Sequence, residues 1–182
     1  FQDRDSNKAL NIREDKYTGI FVEGQSEYVV TTAQDCFALL KRGEANRITR
    51  QTRSNIHSSR SHTIFQILVE SDTADSRGML FRGKLNLCDL AGSEKIAKDE
   101  TMGTQHFLEL KTINLSLSSL GKVISALAQG KRKDHIPYRD SKITRLLQDS
   151  LGGNTKTTLI AAINSIADHA AETISTLKFA DR

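Results

Sequence analysis

The sequence has no tryptophan, one proline and two cysteines. A single proline, with no Pro/Gly/Ser-rich tract, internal repeat or low-complexity run, leaves no candidate linker, so one continuous domain or part of one is expected. Cys36 and Cys88 stand far apart and neither belongs to a C-x-x-C pair. That spacing argues against a disulfide framework or a zinc site and points to a reducing, intracellular compartment. Cys88 falls inside "KLNLCDL", where a buried thiol behaves as a small hydrophobe. No apolar run approaches the roughly 18 residues of a membrane helix, and no membrane partner is expected. No basic-then-apolar leader opens the chain. The first residue is Phe1 and not Met, so a fragment is expected and the missing leader carries no weight.

What remains is a chain of 182 residues, 37% hydrophobic and 26% charged, enough for one domain with a real core. The net charge is +4, and it is unevenly spread. "KRKDHIPYRDSKITR", Lys131 to Arg145, holds six Lys/Arg against two Asp, an excess equal to that of the whole chain. Such a patch suits an acidic partner surface, whether nucleic acid, anionic lipid or protein, unless it is only a solvated face.

The hydrophobic pattern predicts strands mixed with helices. "TGIFVEGQSEYVV" alternates around Gly24 as a short hairpin would. A helix follows, capped by Thr31 or Thr32 and ending before Gly43. "HTIFQILVES" and "GMLFRGKLNLCDL" read as two strands joined by the polar turn "DTADSRG". In the next segment Leu110, Ile113, Leu117, Leu120, Ile124 and Leu127 recur at helical spacing up to Gly130. Pro137 interrupts the chain. "SKITRLLQDSLGG" predicts one helix capped by Ser141, "KTTLIAAINS" a buried strand, and "AAETISTLKFADR" a closing helix. The expected fold class is α/β, a layered and mostly covered central sheet with helices on both faces.

Two stretches could carry chemistry. "LNLCDLAGSE" ends a hydrophobic strand on Asp89, with Gly92 three residues later. A carboxylate held at a strand end suits a nucleotide-bound Mg²⁺, which takes few carboxylates and keeps several waters. A glycine lets its backbone N–H approach a phosphate unobstructed. A strand-ending Asp that only caps a turn has the same local pattern. "SNIHSSRSHTIF", Ser54 to Phe65, supplies five hydroxyls able to ligate Mg²⁺ or its waters and to donate to phosphate oxygens. Arg60 offers a planar fork that the Glu94 carboxylate could answer. Without the second stretch, a phosphorylation site or hydroxyl-rich turn reads as well. His57 and His62 fit structural hydrogen bonding better than catalysis.

Taken together these residues resemble the kinesin motor domain. "NIHSSRSH" matches the family's switch I pattern N-x-x-S-S-R-S-H, and "DLAGSE" matches switch II. "INLSLSSLGKVISAL" resembles the long microtubule-facing helix, "HIPYRDSKITRLLQDSLGGN" the loop and helix after it, and "TISTLKFADR" the last helix of the domain. The resemblance runs from about Asn11 to Arg182, with the motifs in family order. It implies a P-loop NTPase-like motor fold and a microtubule-based motor ATPase that uses ATP and Mg²⁺. Ser58 and Ser59 would lie at the metal and γ-phosphate, with Asn55 and Ser61 in the same nucleotide-facing loop. Asp89 would hold Mg²⁺ through water, Ser59 would stand beside the metal, and Gly92 would sense the γ-phosphate. Arg60 and Glu94 would form the salt bridge that closes the two switches. Asn114 would couple the switches to the track-facing surface. Lys131, Arg132, Lys133, Arg139, Lys142 and Arg145 would meet tubulin's acidic surface. The implied location is the cytoplasmic microtubule cytoskeleton, with dimerisation left to a stalk beyond these residues.

The sequence departs from the family in one large respect. No G-x-x-x-x-G-K-[ST] loop occurs; "SLSSLGK" has Ser116 at the first glycine position and Val123 at the hydroxyl position. The chain is therefore expected to be the carboxy-terminal portion of a motor domain, residues 1–182, lacking the P-loop part and the neck linker and inactive alone. The competing reading within the family is a non-catalytic microtubule-binding module. A nucleic-acid reader is disfavoured, because Tyr138 is the only aromatic in the basic segment.

Overall fold

The computed structural model describes residues 10–49, 61–92, 104–130 and 135–182. They form five helices, four strands and two short 3₁₀ turns, grouped in two compact units. One comprises the described residues up to Thr31 and from Gly92 onward; the other is Thr32–Ala91.

In the first unit, β1 (Asn11–Asp15) pairs antiparallel with β2 (Gly19–Glu23). The turn between them is chemical in origin. The Asp15 carboxylate accepts the N–H groups of Tyr17 at 2.8 Å and Thr18 at 2.9 Å. Gly19, at φ 74, supplies the left-handed backbone that the reversal needs. The hairpin therefore closes at Asp15–Gly19 and not around Gly24, and residues 25–31 form no strand. Gly24 only turns the chain out of β2.

The long helix α2 spans Thr104–Ala128, and Gly130 follows in the left-handed region at φ 65. Its most buried face consists of Ser119, Leu120, Val123 and Ala126, while Ile113, Leu117, Ile124 and Leu127 are half-buried. The Ser119 hydroxyl donates to the Leu115 carbonyl at 2.8 Å, so its burial leaves no orphan. Val123 and Ala126 pack with Ile136 and Tyr138, and with the half-buried Leu127 and Leu151, to form the core of this unit.

The segment after Pro137 breaks twice. A 3₁₀ turn at Tyr138–Asp140 leads into α3 (Lys142–Leu146), and α4 (Gln148–Gly152) follows. Ser141 caps α3 in a reciprocal box with Thr144. The expected single helix is interrupted at Leu147, where the backbone leaves the helical well (φ −92, ψ 5) while the side chain is buried. A second 3₁₀ turn, Ala167–His169, precedes α5 (Ala170–Ala180). The segment "KTTLIAAINS" is not a strand. A strand is stabilised by its ladder, and no described segment pairs with this one. Its Leu159, Ile160 and Ile163 stay exposed.

In the second unit, α1 (Ala33–Thr49) starts where Thr32 and Asp35 exchange hydrogen bonds. The Thr32 hydroxyl accepts the Asp35 N–H, and the Asp35 carboxylate accepts the Thr32 N–H. The helix runs through Gly43, since one interior glycine costs only about 1 kcal/mol. The strands β3 (Thr63–Glu70) and β4 (Arg82–Asp89) form an antiparallel pair. The described strands thus make two separate two-stranded sheets and no central sheet. β4 is also mostly exposed, with Leu85 and Leu87 about half open to solvent, and Cys88 is exposed and not buried.

Candidate functional site

The register of β3 and β4 positions the two candidate stretches. Its last pair at one end is Thr63 with Asp89. The residues flanking that pair, Ser61–His62 before β3 and Leu90–Ala91 after β4, therefore emerge side by side. The opposite end is a polar turn. There the Asp75 carboxylate accepts the N–H groups of Arg77 at 2.8 Å and Met79 at 2.9 Å, and Arg82 pairs with Glu70 at 3.0 Å.

At the motif end, the ladder is prolonged by a side chain. The Ala91 N–H donates to Nδ1 of His62 at 3.0 Å, and Ala91 is buried. An N–H donor fixes Nδ1 as the acceptor, so the neutral ring carries its proton on Nε2. Burial holds the His62 pKa below its ordinary value, and the Asp89 carboxylate opposes that shift. His62 thus has the structural role its sequence context suggested. Asp89 is exposed at the end of β4, and Ser61 is half-buried on the neighbouring strand exit. Gly92 is half-buried just beyond Ala91. Asn55, Ser58, Ser59, Arg60 and Glu94 lie outside the described residues.

The basic segment is described from His135 onward, and Lys131, Arg132 and Lys133 lie outside it. Arg139 and Lys142 are exposed and Arg145 is half-buried. Tyr138 is only 8% exposed and packs in the core, so it presents no face for stacking a base. The stretch "SLSSLGK" lies inside α2 and cannot wrap a phosphate, and "GMLFRGKL", which has both glycines and the lysine, has Leu85 at the hydroxyl position and runs into β4. Gly121 in α2 has a packing role instead, because the Arg182 guanidinium occupies the place where a β-carbon would stand.

Two residues that anchor this region went unnoticed in the sequence. Thr144 is fully buried, and its hydroxyl donates to the Tyr138 carbonyl at 2.7 Å. Asp149 accepts the Ile20 N–H at 2.9 Å, joining α4 to the first hairpin. No local pattern in the sequence signals a contact across 129 residues.

Comparison with known proteins agrees with the motifs. The kinesin motor domain profile matches residues 1–182. Kinesin-related protein 5 of Dictyostelium discoideum is 51% identical over 177 residues, covering 97% of this chain and 18% of that protein. Kinesin-related protein 3 of the same organism is 50% identical over 173 residues, covering 95% of this chain and 14% of its own length. Among solved structures, a fast kinesin matches with a TM-score of 0.80 at 46% identity, over 93% of this chain and 47% of its own. A structure of KIF14 with ADP in complex with a microtubule matches with a TM-score of 0.81 at 41% identity, over 98% and 51%. The chain spans about half of these solved motor structures and under a fifth of the curated relatives. With its motifs in order and the profile matched throughout, the chain belongs to the kinesin motor domain family.

Proposed function

We propose that these residues serve a microtubule-based motor ATPase of the cytoskeleton, as the part of a single motor domain that carries both nucleotide switches and the track-facing surface. The observation that carries this reading is the β3–β4 register, which brings the exit of the serine stretch and the D-x-x-G stretch to one end of one hairpin. In the whole motor the described strands would join a layered, P-loop NTPase-like sheet, and the phosphate cradle would come from outside these residues.

The donor set suits Mg²⁺ with ATP. The carboxylate of Asp89 and the hydroxyl of Ser59 offer hard oxygen ligands. A single carboxylate with a hydroxyl suits a cation held mainly through waters and phosphate oxygens. When bound, Mg²⁺ would neutralise charge developing on the phosphates. Asp89 would orient the metal's waters, and Ser58, Ser59, Ser61 and Asn55 would contact nucleotide and metal. Gly92 would offer its N–H to the γ-phosphate, and Arg60 with Glu94 would close the switches so that the attacking water is aligned. A ligand shifts a conformational equilibrium only through contacts that differ between states, and γ-phosphate contacts to both switches would supply that difference. The exposed Arg139 and Lys142, with Arg145 and Lys131 to Lys133, would meet the acidic track.

The test uses the full-length protein. Arg60→Ala or Glu94→Ala should leave nucleotide binding nearly unchanged but slow microtubule-stimulated hydrolysis by about a hundredfold or more. The charge-swapped double variant should recover part of that loss. Normal hydrolysis in either single variant would overturn the switch pairing. A wild-type protein that binds microtubules without turning over ATP would be the non-catalytic module instead.

A further inference from the structure

We propose that His62 is a positioning residue for ATP hydrolysis, whose neutral Nδ1 locks the start of the D-x-x-G loop to the end of β3. The inference rests on the functional reading above and extends it to a residue outside the salt-bridge pair. The backbone ladder stops at Thr63 and Asp89. Beyond it the register supplies no further backbone rung for the stretch that leads from Asp89 to Gly92. The side chain of His62 supplies one further rung, accepting the Ala91 N–H at 3.0 Å. Ala91 is 5% exposed, so water is a poor substitute acceptor for that N–H. The rung joins His62, near the end of the serine stretch, to Ala91, which directly precedes Gly92. That hydrogen bond therefore couples the position of the β3 entry to that of the β4 exit.

The geometry demands an acceptor two bonds beyond Cβ. Asparagine has one, since its Oδ1 occupies the place of Nδ1, whereas glutamine carries its oxygen one atom too far and alanine has none. The experiment compares His62→Asn, His62→Gln and His62→Ala in the full-length protein. It measures hydrogen exchange of the peptide containing Ala91, together with microtubule-stimulated kcat and the KM for ATP. For His62→Ala and His62→Gln, exchange should accelerate about tenfold and kcat should fall about tenfold, with KM changed by less than about threefold. His62→Asn should keep wild-type protection and retain kcat within about threefold. Exchange unchanged in His62→Ala, or accelerated without loss of kcat, would overturn the proposal. So would His62→Asn behaving like His62→Ala, which would reduce the residue to its bulk. Should the wild type show no ATP turnover, the proposed function and the catalytic part of this inference fall together, while the exchange comparison still decides the clamp.

Discussion

Replacing Thr144 by valine tests the packing that supports the basic face. The two side chains have nearly the same shape, so the change removes hydrogen bonds without opening a cavity. Thr144 is fully buried. Its hydroxyl lies 2.7 Å from the Tyr138 carbonyl and accepts the Ser141 N–H at 3.2 Å, while its own N–H donates to the Ser141 hydroxyl. Valine would leave the Tyr138 carbonyl without this donor inside the fold, at a cost of about 1–3 kcal/mol. Losing half of the capping box adds roughly 0.5–1 kcal/mol. A total of about 1.5–4 kcal/mol corresponds to a Tm lower by about 3–16 °C for a chain of this size. Thr144→Ser is the control, since it keeps the hydroxyl and loses one methyl, for roughly 0.8 kcal/mol. The chain has no tryptophan, so unfolding in urea can be followed by tyrosine fluorescence. Tyr138 is 8% exposed whereas Tyr17 is 89% and Tyr28 39% exposed, so the buried-tyrosine signal reports on this corner. If valine is tolerated within about 0.5 kcal/mol while serine destabilises more, the methyl matters and the hydrogen bonds do not.

Two further outcomes follow from the charges. Backbone N–H groups, chiefly that of Thr18 for Asp15 and that of Met79 for Asp75, hold both carboxyl pKa values below the ordinary one. A lowered folded pKa means stability that is present above the ordinary Asp value of about 4 and lost as pH falls through the lower folded value. Amide protection in both hairpin turns should therefore decline in that acid window, and Asp15→Ala with Asp75→Ala should remove the decline; an unchanged acid profile would refute it. Replacing Arg139, Lys142 and Arg145 by alanine should weaken microtubule co-sedimentation, flatten its salt dependence and raise the dissociation rate, whereas the Lys131–Arg132–Lys133 triple should mainly slow association. Wild-type binding by both triples would leave the patch a solvated surface.

Local chemistry was the legible part of the fold. Thr32 and Ser141 announced their helices because a hydroxyl followed three residues later by a polar partner is itself the cap. Gly130 announced an end because the left-handed position favours glycine. The pairing of β3 with β4 could be read from two apolar runs around one polar turn, and the motif residues Ser61, Asp89 and Gly92 from their order along the chain. Long-range features were hidden. Gly24 looked like the hairpin turn, but Asp15 and Gly19 make it, because a carboxylate able to take two N–H groups outweighs alternation. Leu147 breaks a helix whose propensity is unbroken, its side chain buried while its backbone leaves the helical well. "KTTLIAAINS" has the composition of a buried strand without a described partner, and composition cannot form a ladder.

The same hidden contacts bear on how the basic face would work. Asp149 takes the Ile20 N–H at 2.9 Å, and its carboxylate fills the space above Gly19 that a larger residue would claim. Its charge also reaches Tyr138, whose phenol is pushed above its ordinary pKa first by burial and then by Asp149. The segment from Tyr138 to Gly152 is thereby fastened on two sides, to the β1–β2 hairpin through Asp149 and to α2 through the core around Tyr138. A cation on a loose loop loses rotamer and backbone freedom when it binds, and that loss offsets most of its attraction. Lys142 and Arg145 sit instead on a capped turn three residues apart, so one face presents both charges with the backbone already ordered. Their contribution should therefore appear in how long a complex lasts, and loosening the corner at Thr144 should shorten that lifetime even though neither charge has been touched.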